Sequence, residues 1–360
     1  MNIQNGSFYL YGAGLFGQAL SRYFLSIGVS PKAIIDAAPK LNSYMGIPIK
    51  SLGSNDLDYE LPILISILGY GDIKGSLKRR GFVEAVDTHD VFDLFPQGLV
   101  ELTECGFLWM QEPRTKQVDD SKVSQLESLL SDDISKKTLS QIINFRKKPC
   151  RSYYPEPEAY EMYFPSDINK LYSCPKLKIL DIGAFDGDTL YEYSKRWPEK
   201  IYKYLAIEVS PKNISDLNNR GINLPHTGVE VYQGAVGLPD EFDLVLRGNS
   251  SATCVEVISK GTAQTGDITV PKLDLAKLLH EEDFNIIKMD IEGADYAALV
   301  EMADFIKNKL PTLSLSVYHT PEDVWRIPLF INEIAPNSYD FYLRQEGHWG
   351  LETIFYAVPK

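Results

Sequence analysis

Twice in this chain, a glycine-rich turn stands between a strand-like and a helix-like segment. GAGLFG at 12–17 follows the β-prone run at 8–11, and DIGAFDGD at 181–188 follows the apolar run that begins at 177. Glycine lets the backbone turn sharply and lets a ligand approach it closely. In both places the next strand-like segment ends in a carboxylate, Asp36 and Glu208, where dinucleotide folds bind ribose hydroxyls. The pattern predicts two nucleotide-binding α/β domains.

Strand-like and helix-like segments alternate over 1–100 and again from about 176, which favours parallel sheets covered by helices. We therefore predict an α/β fold with two Rossmann-like parallel-sheet domains. The first, at 1–100, is an accessory domain of nucleotide-binding type, and the second occupies 173–360.

The intervening residues 101–172 have a different pattern. Apolar residues recur at helical spacing from Ser124 to Phe145, and a stretch rich in proline and tyrosine follows at 153–164. This predicts a helical connector that partly covers a neighbouring cleft. At the end of the chain, aromatic segments at 339–343 and 353–358 predict two strands that pair as an antiparallel edge of the second sheet.

Composition excludes several classes of partner. The formal net charge of −13 disfavours nucleic-acid binding and adhesion to anionic membranes. The apolar stretch Leu61–Leu68 is far shorter than the ~20 residues that a membrane span needs. A signal peptide begins with a positively charged region, whereas no basic residue precedes Arg22 in this sequence. The four cysteines form no C-x-x-C pair, so neither a zinc site nor a disulfide framework is indicated, and we expect a cytoplasmic protein.

Acidic residues in the second glycine turn indicate its ligand. Asp181, Asp186 and Asp188 would repel a pyrophosphate but would attract a positively charged group such as a sulfonium. This favours S-adenosylmethionine (SAM) over NAD or ATP as the ligand. Glu208 and Asp290 are predicted at the carboxyl ends of neighbouring strands, the edge at which open α/β sheets bind ligands.

Six further sequence blocks accompany this turn in a fixed order: AIEVSPKN at 206–213, GAVG at 234–237, VPKLDLAKLL at 270–279, IIKMDIEGADYAAL at 286–299, SVYHTPEDVWRIPLFINEI at 316–334, and MYFPSDI ahead of them at 162–168. Together with DIGAFDGDT at 181–189, the five blocks between 206 and 334 make residues from about 176 to 360 resemble the FkbM-type family of SAM-dependent methyltransferases. MYFPSDI resembles the segment that precedes the SAM domain in two-domain members of that family. The resemblance implies a class I SAM methyltransferase fold. It also implies methyl transfer to a hydroxyl oxygen of a surface glycan, a nucleotide-sugar or a glycosylated metabolite.

The resemblance also implies roles for individual residues. Asp181, Gly183, Gly187 and Asp188 would form the SAM loop, and Glu208 would hold the ribose hydroxyls. Gly234 and Ala235 would lie beside the adenine, and Ser251 belongs to a small-residue segment of the same site.

Methyl transfer to a hydroxyl requires a group that accepts the hydroxyl proton. Asp290 and Glu292 are the leading carboxylates, and Lys288 could orient Asp290 or stabilise a developing alkoxide. His319, at the end of the next strand, has a ring whose ordinary pKa suits a base near pH 7. Asp290, Glu292 and His319 could together also hold a divalent cation. Their spacing does not demand one, so we predict no metal.

The first glycine turn leaves several functions open. Gly12, Gly14, Gly17 and Asp36 match a dinucleotide-binding pattern, so this domain could bind NAD(H) or a nucleotide-sugar. It could equally be a scaffold that docks, dimerises or presents an acceptor. One alternative function for the chain is therefore an NAD(P)- or nucleotide-sugar-binding enzyme driven by this domain. Another is a non-catalytic binding module with a degenerate SAM site. A homodimer is compatible with each of these functions.

Overall fold

A computed structural model describes residues 6–67, 72–94, 118–247 and 254–360. They divide into two compact units. The first comprises the described residues within Met1–Val118 and Ser140–Glu156, and the second comprises those within Asp119–Leu139 and Pro157–Lys360. The described part of the predicted connector at 101–172 is thus shared between the two units and does not form a third.

The first unit is built on a six-stranded sheet with the strand order β3-β4-β2-β1-β5-β6. All neighbours pair in parallel except β3 and β4, which form an antiparallel hairpin at one edge. The strands are β1 (Tyr9–Tyr11), β2 (Ala33–Asp36), β3 (Ser43–Tyr44), β4 (Ile47–Ser51), β5 (Ile63–Ile65) and β6 (Ala85–Asp87). The helices are α1 (Leu15–Ser26), α2 (Ile73–Arg79) and α3 (Thr88–Val91). Buried Tyr9, Ile35 and Ile63 belong to its hydrophobic core.

The second unit is built on a seven-stranded sheet in which five parallel strands are followed by an antiparallel pair, in the order β15-β16-β14-β13-β7-β8-β9. Its strands are β7 (Leu177–Ile182), β8 (Ile201–Glu208), β9 (Val229–Gln233), β13 (Ile286–Met289), β14 (Thr312–Ser316), β15 (Tyr339–Gln345) and β16 (Thr353–Pro359). The predicted α/β class and its antiparallel edge are confirmed.

Helices connect these strands and precede them in the chain. They are α4 (Asp120–Leu129), α5 (Asp133–Lys147), α6 (Asp188–Arg196), α7 (Pro211–Asn219), α8 (Leu275–Leu279), α9 (Asp295–Glu301), α10 (Ala303–Lys309) and α11 (Asp323–Ile334). Within the described ranges, no helix is both long enough and apolar enough to cross a bilayer.

The structure differs from the predicted single helix at 124–145. It contains α4 and α5 instead, and the break lies at 130–132. The Asp132 carboxylate accepts a hydrogen bond from the Ser135 amide, as an N-cap does, and it also pairs with Arg344. The Ser131 amide donates to the Phe341 carbonyl of β15. Contacts to the second sheet therefore start a new helix where the local spacing indicated continuity.

The sequence prediction also missed a second, smaller sheet in the second unit. Strands β10 (Phe242–Arg247), β11 (Cys254–Ser259) and β12 (Ile268–Val270) form an antiparallel sheet in the order β11-β10-β12. Leu246 and Val270 pack on Ala235, just beyond the end of β9.

Candidate active site

A glycine turn connects β7 to α6 and defines one side of the candidate site. Gly183 has φ +78°, and a Cβ there would lie 1.9 Å from the Asp290 carbonyl oxygen. Gly187, at the start of α6, has φ +81°, and its Cβ would lie 2.9 Å from Leu217 Cγ. Both positions therefore require glycine. The turn lies directly against the backbone at the end of β13, so the two strand ends form one edge.

The acids of this turn do not form the unpaired negative loop expected from the sequence. Asp181 is fully buried and lies 3.1 Å from Lys288 Nζ, and it also accepts a hydrogen bond from the Tyr204 hydroxyl. Asp186 pairs with Arg220. Asp188 is exposed, and its carboxylate accepts a hydrogen bond from the Thr189 amide. Two of the three negative charges are thus compensated within the protein.

Lys288 lies beneath the glycine turn. Its side chain is buried, and Nζ donates to the Gly183 carbonyl in addition to its contact with Asp181. Burial alone would lower the pKa of Lys288, but the neighbouring Asp181 and Asp290 carboxylates raise it. Lys288 is therefore an ammonium ion that holds the turn.

Glu208 connects the glycine turn to the next helix. It is buried at the end of β8, and Oε2 accepts a hydrogen bond from the Phe185 amide at 2.9 Å. Oε1 accepts from the Ser210 amide at 2.9 Å and from Asn213 Nδ2 at 3.3 Å. A carboxylate offers about four acceptor positions, so this one retains capacity for a ribose hydroxyl. The residues present therefore fit the ribose of SAM.

Gly234 and Ala235 follow β9 on the same edge of the sheet. The Gly234 amide donates to the Glu208 carbonyl, and a Cβ on Gly234 would lie 2.3 Å from Leu273 Cγ. Ala235 is buried, and its amide donates to the Pro271 carbonyl. Ser251 lies outside the described residues.

A histidine between two carboxylates forms the other side of the site. His319 follows β14 and is 4% exposed. Its Nε2 lies 3.2 Å from Asp290 Oδ1, and its Nδ1 lies 3.0 Å from Asp295 Oδ2. Asp295 is fully buried at the start of α9, where it also accepts hydrogen bonds from the Ile291 and Gly293 amides. The two carboxylates fix the orientation of the ring.

This arrangement determines the protonation states of His319 and Asp290. Burial alone would lower the pKa of His319, but the hydrogen bonds to Asp290 and Asp295 and their charges raise it to about 11. Burial alone would raise the pKa of Asp290, but His319, Lys288 and Tyr163 together hold it well below the ordinary value. His319 is therefore an imidazolium at neutral pH, and the neutral ring expected from the sequence is not what this geometry favours.

Glu292 lies at the solvent side of this cluster. Its side chain is 90% exposed, and Oε2 lies 3.6 Å from His319 Nε2. The structure thus brings Asp290, Glu292 and His319 together at one strand edge, whereas Lys288 lies one layer below.

Two residues that contact Asp290 and His319 were not identified from the sequence. Tyr163 precedes β7 in the chain, and its hydroxyl donates to Asp290 Oδ2 at 2.8 Å. No local pattern links two residues that are 127 positions apart, although Tyr163 lies in the MYFPSDI block. Asp295 lies in the same block as Asp290, five positions later. It was missed because an acid in the first turn of a helix ordinarily complements the helix dipole.

In the first unit, contacts within the protein hold the GAGLFG turn in place. Asp36 Oδ2 accepts a hydrogen bond from the Ala13 amide, and Oδ1 accepts from the Ala38 amide, both at 2.8 Å. A Cβ on Gly17 would lie 1.9 Å from the Gly12 carbonyl oxygen, so internal packing alone requires Gly17. At Gly14, which precedes α1, a Cβ would meet nothing within 4 Å.

Comparisons with known proteins bear on the second unit and on the fold. Residues 181–344 match the family model of the methyltransferase FkbM domain. Among solved structures, a methyltransferase FkbM from Methylobacillus flagellatus is similar with a TM-score of 0.64 at 21% identity, over 98% of this chain and 90% of that chain. No curated protein sequence matches. The resemblance of the second unit and the predicted methyltransferase fold class are thereby confirmed.

Two other solved structures are more distant. A precorrin-6y C5,15-methyltransferase from Geobacter metallireducens is 15% identical, with a TM-score of 0.30 over 53% of this chain and 83% of that chain. Fibrillarin from Aeropyrum pernix, in complex with natively bound SAM, is 11% identical, with a TM-score of 0.31 over 51% of this chain and 69% of that chain.

Proposed function

We propose that this chain, whose residues 181–344 form a SAM-dependent methyltransferase domain of the FkbM type, methylates a hydroxyl oxygen of a carbohydrate. One observation supports the oxygen specificity. Asp290, an ionised carboxylate, directly follows β13, and its backbone lies against Gly183 of the glycine turn. Hydroxyl methylation needs a group at that place to take up the proton. The carbohydrate part of the proposal comes from the sequence resemblance.

When bound, SAM supplies a methyl group activated by its sulfonium. Gly183 and Gly187 allow the tight turn that places the end of β7 against the end of β13, and the remaining acceptor position of Glu208 would accept a ribose hydroxyl. In the transfer, the acceptor oxygen forms a bond to the methyl carbon as the carbon–sulfur bond breaks, and the hydroxyl proton passes to the Asp290 carboxylate. The hydroxyl becomes strongly acidic as its oxygen is alkylated, so a carboxylate with a low pKa is a sufficient acceptor.

The surrounding residues keep Asp290 in the reactive state. His319, held by Asp295, lies with its Nε2 3.2 Å from Asp290 Oδ1, and this ion pair keeps the carboxylate ionised. Lys288 holds the glycine turn through the Gly183 carbonyl. Exposed Glu292 is positioned to accept a hydrogen bond from a second hydroxyl of a sugar. These assignments replace the direct base role first considered for His319.

The test separates SAM binding from turnover. Asp290→Asn preserves the shape of the side chain, so we expect SAM affinity by calorimetry within about twofold of the wild type. We expect turnover, measured as S-adenosylhomocysteine release with a panel of methyl glycosides and nucleotide-sugars, to fall about 10²–10⁴-fold, the usual contribution of general base catalysis. Glu208→Ala should instead weaken SAM binding.

Asp304→Asn, an exposed acid on α10, is the matched control and should change neither quantity. Absence of SAM binding by the wild type would refute the proposal, as would full turnover by Asp290→Asn. SAM binding without turnover on any acceptor would favour the non-catalytic alternative.

We also propose nucleotide binding by the first unit, as a separate activity. Open space at Gly14 beside the start of α1 supports it, because helix N-termini bind phosphate groups. NADH and UDP-glucose are suitable probes, titrated by fluorescence and calorimetry respectively. We expect Gly14→Val, which fills that space, to abolish the binding and to leave SAM affinity unchanged. If neither probe binds the wild type, the unit is a scaffold.

A further inference from the structure

Hydrogen bonds hold both the backbone and the side chain of Tyr163. Its amide donates to Glu346 Oε2 at 2.7 Å, and its carbonyl accepts a hydrogen bond from the Tyr172 hydroxyl at 2.6 Å. Its hydroxyl donates to Asp290 Oδ2 at 2.8 Å, and the residue is 1% exposed. The hydroxyl also lies 3.3 Å from Ser316 Oγ, so four polar contacts of this residue fix where the hydroxyl lies.

The backbone of Tyr163 is also strained. Its φ of +68° lies in the left-handed region, which is unfavourable for a non-glycine residue and which persists only where the surroundings impose it. Glu346 is part of those surroundings, since it is half-buried and also accepts a hydrogen bond from the Tyr356 hydroxyl. The contacts of Tyr163 thus impose the backbone conformation in which its hydroxyl reaches Asp290.

The hydroxyl of Tyr163 acts on one particular oxygen of Asp290. Oδ2 accepts the hydrogen bond from Tyr163, and Oδ1 lies 3.2 Å from His319 Nε2. One oxygen thus accepts a hydrogen bond and the other forms an ion pair, so rotation about the Cβ–Cγ bond would lose both contacts. The Asp290 side chain is still 18% exposed, so the fixed carboxylate remains open to a ligand.

We infer that Tyr163 is a positioning residue for methyl transfer, which holds the Asp290 carboxylate so that a free lone pair faces the attacking hydroxyl. The inference rests on the proposed function. It gives the segment before β7 a part in the reaction, although that segment lies outside the matched residues 181–344. Correct placement of a proton acceptor affects the rate of the reaction and not the affinity for the substrates.

Tyr163→Phe tests this inference, because it removes the hydroxyl and keeps the ring. We expect kcat to fall about tenfold, which corresponds to ~1.4 kcal/mol. We expect KM for the acceptor and Kd for SAM to stay within about twofold of the wild type, as for a hydrogen bond that matters in the transition state. Tyr339→Phe, which removes another buried hydroxyl of the same unit, should leave all three values unchanged.

A double-mutant cycle separates positioning from a merely structural effect. If Tyr163 acts through Asp290, then Tyr163→Phe should change kcat less than about twofold in an Asp290→Asn background. Equal losses of kcat in both backgrounds would overturn the inference, and so would an unchanged kcat in the single variant.

A crystal structure of Tyr163→Phe gives a readout that needs no activity. We expect the Asp290 carboxylate to occupy more than one orientation there. A single unchanged orientation would contradict the inference. A wild type without methyl transfer would refute the proposed function instead, so the two failures are distinguishable.

Discussion

The protonated state of His319 predicts a specific dependence of stability on pH. In the folded protein its pKa is raised to about 11, whereas the ordinary value is 6.5. A raised pKa stabilises the folded state fully below the ordinary value, and this contribution is lost as the pH rises toward 11. Between the two values the folded state binds one proton more than the unfolded state, so stability falls by about 1.4 kcal/mol per pH unit.

The perturbation that isolates this effect is His319→Gln, which cannot titrate. Integrated from pH 7 to pH 9, the linkage gives about 2.5 kcal/mol of stability that the wild type loses and the variant does not. Burial also raises the pKa of Glu346, to about 8, which adds a loss of stability with rising pH. That contribution is common to both proteins, so the difference between their curves reports on His319.

Urea denaturation at pH 7, 8 and 9, followed by tryptophan fluorescence, measures this difference. Trp197, Trp325 and Trp349 all belong to the second unit and report on its transition. His226→Gln, which removes a histidine 3.2 Å from Glu199, is the matched control and should keep the pH dependence of the wild type. Parallel curves for the wild type and His319→Gln would refute the reasoning and would return His319 to the role of a neutral base.

Two further predictions concern the framework of the site. Gly183→Ala should reduce SAM affinity by more than about tenfold in calorimetry, because its Cβ would lie 1.9 Å from the Asp290 carbonyl oxygen. Gly221→Ala is the control, since Gly221 has φ +64° and its Cβ would meet nothing within 4 Å, and it should leave SAM affinity unchanged. Arg344→Met should lower the free energy of unfolding by about 3 kcal/mol, or roughly 6–12 °C in Tm, because it leaves Asp132 and Asp167 without their buried partner. Arg247→Met, at a more exposed ion pair, should lower Tm far less, and equal losses of Tm would contradict this reasoning.

The residues at the strand ends could be predicted because parallel strands end at one edge. Glu208, Asp290 and His319 each follow an apolar run, and any parallel arrangement of those runs brings them to the same side of the sheet. The glycine turn was predictable for a similar reason, since its conformation is local. What depends on strand direction and on backbone conformation can therefore be obtained from the sequence.

Charge states and long-range contacts could not be obtained in this way. The protonation of His319 depends on Asp295, whose own position depends on the start of α9. The break between α4 and α5 depends on Arg344, which is 212 positions from Asp132 in the chain. Tyr163 reaches Asp290 only because the tertiary fold returns the segment before β7 to the strand edge. None of these pairs leaves a pattern in the local sequence.

The close approach of Gly183 to the Asp290 carbonyl has a consequence for anyone who wishes to re-engineer the enzyme. The turn proposed to bind the donor and the carboxylate proposed to receive the proton are joined by β7 and β13, which pair in register from Ile179 to Ile182. A substitution at this junction will change donor affinity and turnover together, so neither can be optimised there alone. Exposed Glu292 lies on the solvent side of this junction and is the better starting point for changing the range of acceptors.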